Sequence, residues 1–366
     1  MKQILHLYAD NFPLSRLNEL VSRTEGVVCN MGVAIPGCGR DNRAATTLKM
    51  PTLPSPAPCD PISLFHYDKM VSQAATFVEQ HIPMSDVTLM HAHSIWSGGA
   101  VAYELSCRHH IPYIIAADQA DMRFWHENPQ RGRKTGLPVL EHAERIVFHD
   151  TNQQDFIAGR ISDQDADRIF SRARTIPDGL DPFWLQNLYL HKPVSLVHTR
   201  LLLAGEQLSP KSVSPVKRAV QLLHKKNYNV TLTVAGCSVT DDLGPSVKIL
   251  PELNQETLFQ ALRDNDIYIA PRLADSIHPF YAEALSQGMP IIHNSHEAPH
   301  GLCPDGEISY ATDLDSAEEI AAKVLLASER FATMEQHIAD LHPLHLFNWD
   351  EIYRGYLRVY DSAGGF

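Results

Sequence analysis

Two acidic residues, Asp275 and Glu283, lie eight positions apart and bracket a loop and the start of a helix. The stretch 266–292 is typical of a strand, a loop, a helix that begins near Pro279, a glycine stop and a second strand, because proline suits the first helical turn and glycine the helix end. Such a loop offers backbone N–H groups and a helix N-terminus to an anion, for example a diphosphate. Carboxylates accept hydrogen bonds from sugar or ribose hydroxyls. These residues therefore indicate a site for a phosphorylated, hydroxyl-rich ligand.

The stretch 281–292, Tyr-Ala-Glu-Ala-Leu-Ser-Gln-Gly-Met-Pro-Ile-Ile, resembles the acidic-x7-Glu signature of retaining GT-B glycosyltransferases of family 4. In that family the second acid contacts the nucleotide ribose, and the preceding loop contacts the donor sugar and diphosphate. The resemblance implies that Glu283 holds the ribose. It also implies that Asp275 and the backbone at Ile277, His278 and Pro279 orient the sugar.

A second stretch, 203–211, resembles the family's strand, glycine turn and phosphate-binding lysine, with Lys211 six positions after Gly205. The resemblance implies that both residues bind the donor. Lys211 and the nearby helix N-terminus would stabilise the charge on the leaving phosphate. The implied catalytic set is Asp118, Lys211 and Asp275.

Three more stretches extend the resemblance over nearly the whole chain. The stretch 176–181, Ile-Pro-Asp-Gly-Leu-Asp, resembles the interdomain segment, and 347–360 resembles a terminal helix that crosses back onto the first domain. The stretch 90–113 resembles the strand, helix and strand that border the acceptor cleft, which implies that His93 lies on the acceptor side. The similarity is greatest to members that build capsule, O-antigen or other surface polysaccharides.

Several residues depart from the family pattern. Glu206 stands where the family usually has an arginine that pairs with the donor diphosphate, and Arg272 stands where serine is common. We expect Arg272 to restore the positive charge from the facing loop. Asp118 replaces a histidine near the donor sugar, and Asp121 matches an acidic position of polysaccharide-building relatives on the acceptor side. A helix-cap role is the alternative for both aspartates.

Two sets of alternating strands and amphipathic stretches flank the connector at 176–184, which is typical of parallel sheets covered by helices. With the resemblance, this predicts an α/β protein of GT-B type: two Rossmann-like domains facing across a cleft, with a C-terminal helix crossing back to the N-terminal domain. The predicted boundaries are 1–178 for the acceptor domain, 179–345 for the donor domain and 346–366 for the terminal helix.

The individual elements follow from the hydrophobic periodicity. The predicted strands are 3–8, 27–31, 87–91, 112–117, 145–148, 199–204, 229–235, 247–250, 266–270 and 290–294. The predicted helices are 14–22, 67–81, 99–108, 215–225, 255–265 and 280–287, and the proline-rich stretch 46–61 is predicted to be a loop.

The composition argues against several classes of function. A net charge of −12 in 366 residues argues against a nucleic-acid partner. No apolar run is long enough to cross a bilayer and no signal peptide is evident, so we expect a cytoplasmic protein. The basic run Arg131, Arg133 and Lys134 suggests peripheral contact with anionic headgroups on the inner membrane surface, although a solvated loop is the alternative.

We expect no metal ion and no cofactor other than the nucleotide sugar. The six cysteines include no C-x-x-C pair. The pair His91 and His93 is interpreted as a poor chelate, on the expectation that the two rings point to opposite faces of a strand.

The sequence thus predicts a retaining, metal-independent glycosyltransferase that moves a sugar from a nucleotide-diphosphate sugar to a saccharide or lipid-linked acceptor, in surface polysaccharide synthesis. Two alternatives remain. A sugar-nucleotide epimerase shares the architecture, although the chain has no matching acid/base motif. A catalytically reduced paralogue, acting as partner or stabiliser of another transferase, would explain Glu206 and the first loop, 9–13, which lacks the family's usual paired glycines.

Overall fold

The computed structural model describes residues 3–9, 14–24, 27–35, 50–53, 67–191, 198–237, 246–250, 253–272, 280–295, 303–341 and 347–364. The chain divides into two compact units. The first unit is Met1–Gly179 together with Trp349–Phe366, and the second unit is Leu180–Asn348. The chain leaves the first unit one position after the predicted boundary and returns to it for the terminal segment.

One parallel sheet forms the centre of the first unit. Its strands are β1 (Gln3–Ala9), β2 (Cys29–Ile35), β3 (Thr52–Leu53), β4 (Val87–Ala92), β5 (Tyr113–Ala117), β6 (Arg145–Phe148) and β7 (Ala173–Thr175). They lie in the order β3-β2-β1-β4-β5-β6-β7. Every residue of β5 is buried, so both faces of the sheet are covered there. The strand order reverses at β1 and β4, and open α/β sheets bind ligands at the carboxyl ends beside such a point.

Helices alternate with these strands along the chain. They are α1 (Leu14–Thr24), α2 (Tyr67–His81), α3 (Ala100–His109), α4 (Gln119–Glu127), α5 (Pro129–Arg131), α6 (Leu137–His142), α7 (Thr151–Ala158) and α8 (Asp163–Phe170). A 3-10 turn lies at Met84–Asp86, and π-helical turns lie at Ile95–Gly99 and Gly132–Gly136. Asp118, Asp150 and Ser162 cap α4, α7 and α8 by accepting a backbone N–H group, so short polar residues fix these starts.

A second parallel sheet forms the centre of the second unit. Its strands are β8 (Thr199–Leu208), β9 (Val230–Cys237), β10 (Val247–Leu250), β11 (Ile267–Ile269), β12 (Ile291–Asn294) and β13 (Ser309–Thr312). Their order is β10-β9-β8-β11-β12-β13. The helices of this unit are α9 (Pro182–Gln186), α10 (Pro210–Lys225), α11 (Gln255–Asp264), α12 (Tyr281–Ser286), α13 (Ala317–Glu329) and α14 (Phe331–Leu341).

The terminal helix α15 (Trp349–Ser362) is part of the first unit. It buries Tyr356, Val359 and Tyr360, and the Tyr360 hydroxyl lies 2.8 Å from Nδ1 of His91 in β4. A Cβ atom on Gly179 would lie 2.3 Å from the Trp349 ring, so the chain passes this helix at a position that only glycine can occupy.

The structure adds three strands to the predicted set and moves several boundaries; β2, for example, continues to Ile35, four residues past the predicted strand 27–31. β3 and β7 have two and three residues, too few for a clear periodicity, and β13, with four residues, was also not predicted. α10 begins at Pro210 and continues through Pro215, where the predicted helix began. β8 continues past Gly205 to Leu208, with a shift of register after Ala204, where a turn was expected. In the part of the chain that the structure describes, no helix is both long and apolar enough to span a membrane.

Close backbone packing fixes the turn that follows β4. Gly98 lies in the π-helical turn, and a Cβ atom there would lie 2.3 Å from the carbonyl oxygen of Leu7 in β1. Ser94 caps the turn by accepting hydrogen bonds from the N–H groups of Ser97 and Gly98. The turn therefore packs directly against the backbone of β1.

We expect Gly98→Ala to lower the free energy of unfolding by about 1–3 kcal/mol, because the added methyl group must displace the backbone of β1. Urea-induced unfolding followed by circular dichroism measures the change. Gly159→Ala is the matched control: Gly159 is exposed, and its nearest contact to an added Cβ is an ordinary 3.5 Å. Equal stability of the two variants would contradict the close packing of Gly98.

Candidate functional site

Three polar residues follow three neighbouring strands of the first sheet without any intervening residue. His93 follows β4, Asp118 follows β5 and His149 follows β6. Because these strands are adjacent and parallel, their carboxyl ends meet at one edge of the sheet. His93 and Asp118 were predicted from the sequence, whereas His149 was missed. Its position directly after the predicted strand 145–148 was the signal that could have identified it.

His149 lies in a small network with two charged residues. Its Nδ1 donates to the carbonyl oxygen of Ile176 at 3.0 Å, and its Nε2 lies 3.4 Å from Oδ1 of Asp178. The second carboxylate oxygen of Asp178 lies 2.5 Å from Nη1 of Arg16 in α1. Asp178 belongs to the segment interpreted from the sequence as a connector, and it brings Arg16 and His149 together at the carboxyl edge.

Asp118 and Asp121 have the capping role that the sequence left as an alternative. Asp118 accepts the Asp121 N–H at 2.7 Å, and Asp121 accepts the Asp118 N–H at 3.0 Å. Asp121 also accepts from the N–H groups of Ile95, at 2.8 and 2.9 Å, and Trp96, at 3.3 Å. Asp121 is only 2% exposed, and burial raises its pKa well above the usual range. Its predicted place on the acceptor side remains a prediction.

His93 is one of three buried histidines that lie close together. His6 in β1 pairs in register with His91 in β4, and the rings of His91 and His93 lie 3.9 Å apart. His6 Nδ1 lies 3.0 Å from His93 Nε2, and His6 Nε2 lies 2.9 Å from Oδ1 of Asn30. Burial lowers the pKa of His6 to about 4 and holds those of His91 and His93 well below the usual range.

The expectation that His91 and His93 point to opposite faces was wrong. Residues two apart on a strand share a face, and the structure places both rings beside His6. One ring nitrogen of each histidine lies within 4.8 Å of the others, a set that could hold a metal ion. The cluster lacks a carboxylate, so an ion there would carry its charge into a buried, neutral environment.

In the second unit, the predicted donor-binding glycine lies where two strands approach closely. A Cβ atom on Gly236, which has a positive φ of 82°, would lie 2.2 Å from the Gly205 carbonyl oxygen. Lys211 is exposed in the first turn of α10, a helix of 16 residues capped by Ser209. An exposed cation at a helix N-terminus is suited to meet an anionic group.

Tyr268 joins the two predicted donor-binding elements. Its hydroxyl donates to the carbonyl oxygen of Ala204 in β8 and accepts from the N–H of Phe280, the residue before α12, both at 3.0 Å. Burial raises the pKa of this phenol far above its usual value, so it remains a hydrogen-bond donor. Tyr268 was not predicted from the sequence, because nothing in an apolar strand indicates that a hydroxyl on it bridges two other segments.

Glu283 is half-buried in the first turn of α12. Arg272 forms an ion pair with Asp315, a contact that the sequence did not indicate. Asp275, Ile277, His278 and Pro279 lie outside the described residues, as does the side chain of Glu206. Their predicted roles remain predictions.

The basic run of the first unit borders a cavity of about 460 Å³. Its lining consists of Glu127, Asn128, Pro129, Gln130, Arg131 and Lys134. Arg131 stacks over the Tyr67 ring at 4.6 Å, and Arg131 and Lys134 lie 4.0 and 3.7 Å from carboxylate oxygens of Asp68. Arg133 is exposed to solvent.

No protein-family model matches the chain. Over 225 residues it is 23% identical to a phosphatidyl-myo-inositol mannosyltransferase of Mycolicibacterium smegmatis, a match that covers 57% of the chain and 58% of that relative. The chain therefore spans somewhat more than half the length of this curated relative.

Solved structures resemble the chain over its whole length. Anabaena HepE in complex with UDP and glucose has a TM-score of 0.69 at 13% identity, covering 99% of this chain and 100% of that one. Sucrose-phosphate synthase from Thermosynechococcus elongatus has a TM-score of 0.70 at 13% identity, covering 99% and 98%. Together with the two parallel sheets, these similarities confirm the predicted α/β fold of GT-B type with two Rossmann-like domains.

We expect protonation of His6 to destabilise the protein as the pH falls. The folded pKa lies near 4 and the unfolded value near 6.5, so the unfolded chain binds more protons between these pH values. The stability contribution is complete above pH 6.5 and falls by about 1.4 kcal/mol per pH unit below it. Urea unfolding of wild type and His6→Asn between pH 7.5 and 4.5 measures the slope, which should be shallower in the variant. His126→Asn, at an exposed histidine of α4, is the control.

Proposed function

We propose that the protein is a retaining glycosyltransferase that moves a sugar from a nucleotide-diphosphate sugar to a saccharide or lipid-linked acceptor, in surface polysaccharide synthesis. The observation that carries the proposal is the bridge made by Tyr268. Its hydroxyl contacts Ala204 in β8 and Phe280 directly before α12, so the Gly205–Lys211 element and the Glu283 helix lie beside each other. One element supplies a cation and the other a carboxylate, as a nucleotide diphosphate requires.

Two of the similar proteins support a sugar donor of the same class. One is a mannosyltransferase, and the Anabaena protein was solved with UDP and glucose and also with UDP-glucose.

In the proposed reaction, Lys211 stabilises the negative charge that develops on the leaving phosphate, and Glu283 holds the ribose hydroxyls. Asp275 and the backbone at 277–279 orient the sugar. The anomeric configuration is retained, and the leaving phosphate takes the proton of the acceptor hydroxyl on the same face. In this scheme no metal ion or further cofactor takes part.

The acceptor side is assigned to the carboxyl edge of the first sheet, with His93, Asp118 and Asp121 as in the sequence prediction. We place the protein in the cytoplasm, in peripheral contact with the inner membrane surface. The exposed Arg133 and the neighbouring Arg131 and Lys134 would face anionic headgroups, each cation contributing about 1 kcal/mol. Asp68, which contacts both Arg131 and Lys134, would weaken this interaction with the membrane.

The ion pair of Arg272 with Asp315 favours a second candidate function. Arg272 was the cation expected to compensate for Glu206 at the donor diphosphate. A guanidinium that is held by Asp315 compensates less, which would weaken donor binding. The second candidate is therefore a catalytically reduced paralogue that acts as partner or stabiliser of an active transferase.

We expect one nucleotide of the set UDP, GDP, ADP and CMP, or its sugar conjugate, to raise the melting temperature. A ligand at 100 times its Kd stabilises the folded form by about 2.7 kcal/mol, or about 3–4 °C for a chain of this size. Glu283→Ala should lose the shift, and Glu318→Ala, at an exposed first-turn glutamate of α13, should keep it. No shift with any nucleotide would favour the non-catalytic candidate.

We expect Lys211→Ala to lower kcat for sugar transfer by about 100-fold or more, because a group that stabilises charge in the transition state is lost. Steady-state kinetics with the donor identified by thermal shift measures the effect. Lys225→Ala, in the last turn of the same helix, is the control and should keep wild-type turnover. Equal rates for both variants would exclude Lys211 from the reaction.

A further inference from the structure

One polar atom among the three buried histidines of the first unit has no printed counterpart in the surrounding core. The three residues, which we call the histidine cluster, are His6 in β1, His91 in β4 and His93, which directly follows β4. Nε2 of His91 has no hydrogen-bond partner among the residues that the structure describes, and the residue is fully buried. Because a buried nitrogen without a partner is unfavourable, a ligand that contacts this atom would stabilise the cluster.

The spacing of the ring nitrogens distinguishes between the ligands that fit. Nδ1 of His6 lies 3.0 Å from Nε2 of His93, and one ring nitrogen of each histidine lies within 4.8 Å of the others. A water molecule bound to two nitrogens would hold them about 4.5 Å apart, because each hydrogen bond is about 2.8–3.0 Å long. A zinc ion holds its ligand nitrogens about 3.3 Å apart, since each Zn–N bond is about 2.0–2.1 Å and the ligands are tetrahedral. The spacing of His6 and His93 is therefore close to that of a metal site and too short for a bridging water.

A direct hydrogen bond between His6 and His93 is the competing interpretation. It satisfies Nδ1 of His6 and Nε2 of His93 with one proton, but it does not supply a partner for Nε2 of His91. An ion takes the place of that proton and contacts all three nitrogens. It requires no free nitrogen on His93, because it binds the nitrogen that already faces His6.

The outer nitrogens of His6 and His91 contact oxygen atoms, as those of metal-binding histidines do. Nε2 of His6 lies 2.9 Å from Oδ1 of Asn30, which can only accept, so His6 donates from Nε2 and carries its lone pair on Nδ1, inside the cluster. Nδ1 of His91 lies 2.8 Å from the hydroxyl oxygen of Tyr360, which can accept from it in the same way. These contacts fix the orientation of both rings.

The charge of an ion must be offset without a carboxylate, and a chain of hydrogen bonds contributes to this. Beyond His6, the amide Nδ2 of Asn30 donates to the Thr24 hydroxyl oxygen at 2.7 Å, and the Thr24 hydroxyl donates to the carbonyl oxygen of Val21 at 2.9 Å. Each of these groups points an oxygen atom toward the rings, so the aligned dipoles favour a positive charge at the cluster. Three neutral histidines with one solvent molecule are also an established ligand set for zinc.

We propose that the histidine cluster binds a zinc ion through Nδ1 of His6, Nε2 of His91 and Nε2 of His93, with Asn30 and Tyr360 as positioning residues. Imidazole nitrogens suit zinc and related transition metals, whereas magnesium and calcium prefer oxygen ligands. The ion joins β1 to the end of β4 and stabilises the folded first unit. The proposal concerns metal binding alone and is independent of the sugar-transfer reaction. No metal site was predicted from the sequence, because only the pairing of β1 with β4 brings His6 beside His91.

Metal binding is measured on the full chain after dialysis against EDTA. Isothermal titration calorimetry should show one tight site per chain for zinc chloride and none for magnesium chloride. Zinc at 100 times its Kd should raise the melting temperature by about 3–4 °C. Cobalt(II) in place of zinc should give the visible absorption bands of a tetrahedral site. The absence of a tight zinc site, or an octahedral cobalt spectrum, would overturn the proposal.

The His91→Asn variant distinguishes the cluster from the exposed histidines of the chain. Asparagine keeps a polar atom near the position of Nδ1 for Tyr360 but removes Nε2, so the zinc affinity should fall about 100-fold or more. His126→Asn, at an exposed histidine of α4, is the matched control and should keep the wild-type zinc affinity. Equal zinc affinity in His91→Asn and wild type would show that only surface histidines bind the ion, and the proposal would be wrong.

Two variants of Asn30 provide a test that leaves all three ligands in place and that decides the proposal if His91→Asn does not fold. Asn30→Leu removes the acceptor of the His6 Nε2–H group, and the zinc affinity should fall about 10–100-fold while the cobalt spectrum keeps its tetrahedral form. Asn30→Asp keeps an acceptor for the same N–H group and should bind zinc at least as tightly as wild type. Equal zinc affinities of Asn30→Leu, Asn30→Asp and wild type would contradict a site that includes His6.

Discussion

The carboxylate of Asp121 is the interaction on which the carboxyl edge of the first sheet depends. It accepts backbone N–H groups from Ile95 and Trp96, after β4, and from Asp118, after β5. Removing this group from water is costly, as the raised pKa shows, and the backbone donors offset that cost. Without it, the loops after two neighbouring strands would have unpaired N–H groups. The positions of His93 and Asp118 follow from this anchor.

The second unit uses a neutral group for the equivalent task. The buried hydroxyl of Tyr268 joins Ala204 in β8 to Phe280 before α12 with one donated and one accepted hydrogen bond. A phenol can do both at once, and burial keeps it protonated. In each unit a single buried polar side chain thus joins two segments that lead to the carboxyl edge of a parallel sheet, where a ligand site is expected.

Most ring nitrogens of the three buried histidines also have hydrogen-bond partners. Three imidazoles in a sheet core would be unfavourable if their nitrogens lacked partners. Asn30 pairs with Nε2 of His6, Tyr360 with Nδ1 of His91, and His93 with Nδ1 of His6, whereas Nε2 of His91 has no hydrogen-bond partner among the described residues. Neutral rings then cost less than charged ones, so the cluster is stable near neutral pH and sensitive to acid.

The sequence alone determined the two α/β sets, most strand positions and some of the helix starts, because hydrophobic periodicity and capping residues act locally. Strands 145–148 and 247–250 and the helix 67–81 agree with the structure at both ends. Only the tertiary structure decided which polar residues meet. The pairing of His6 with His91 depends on strand order and register, the role of Tyr268 on a loop folding back, and the ion pair of Arg272 with Asp315 on two distant segments. Such contacts join residues far apart in the chain, and the spacing of residues along one segment carries no information about them.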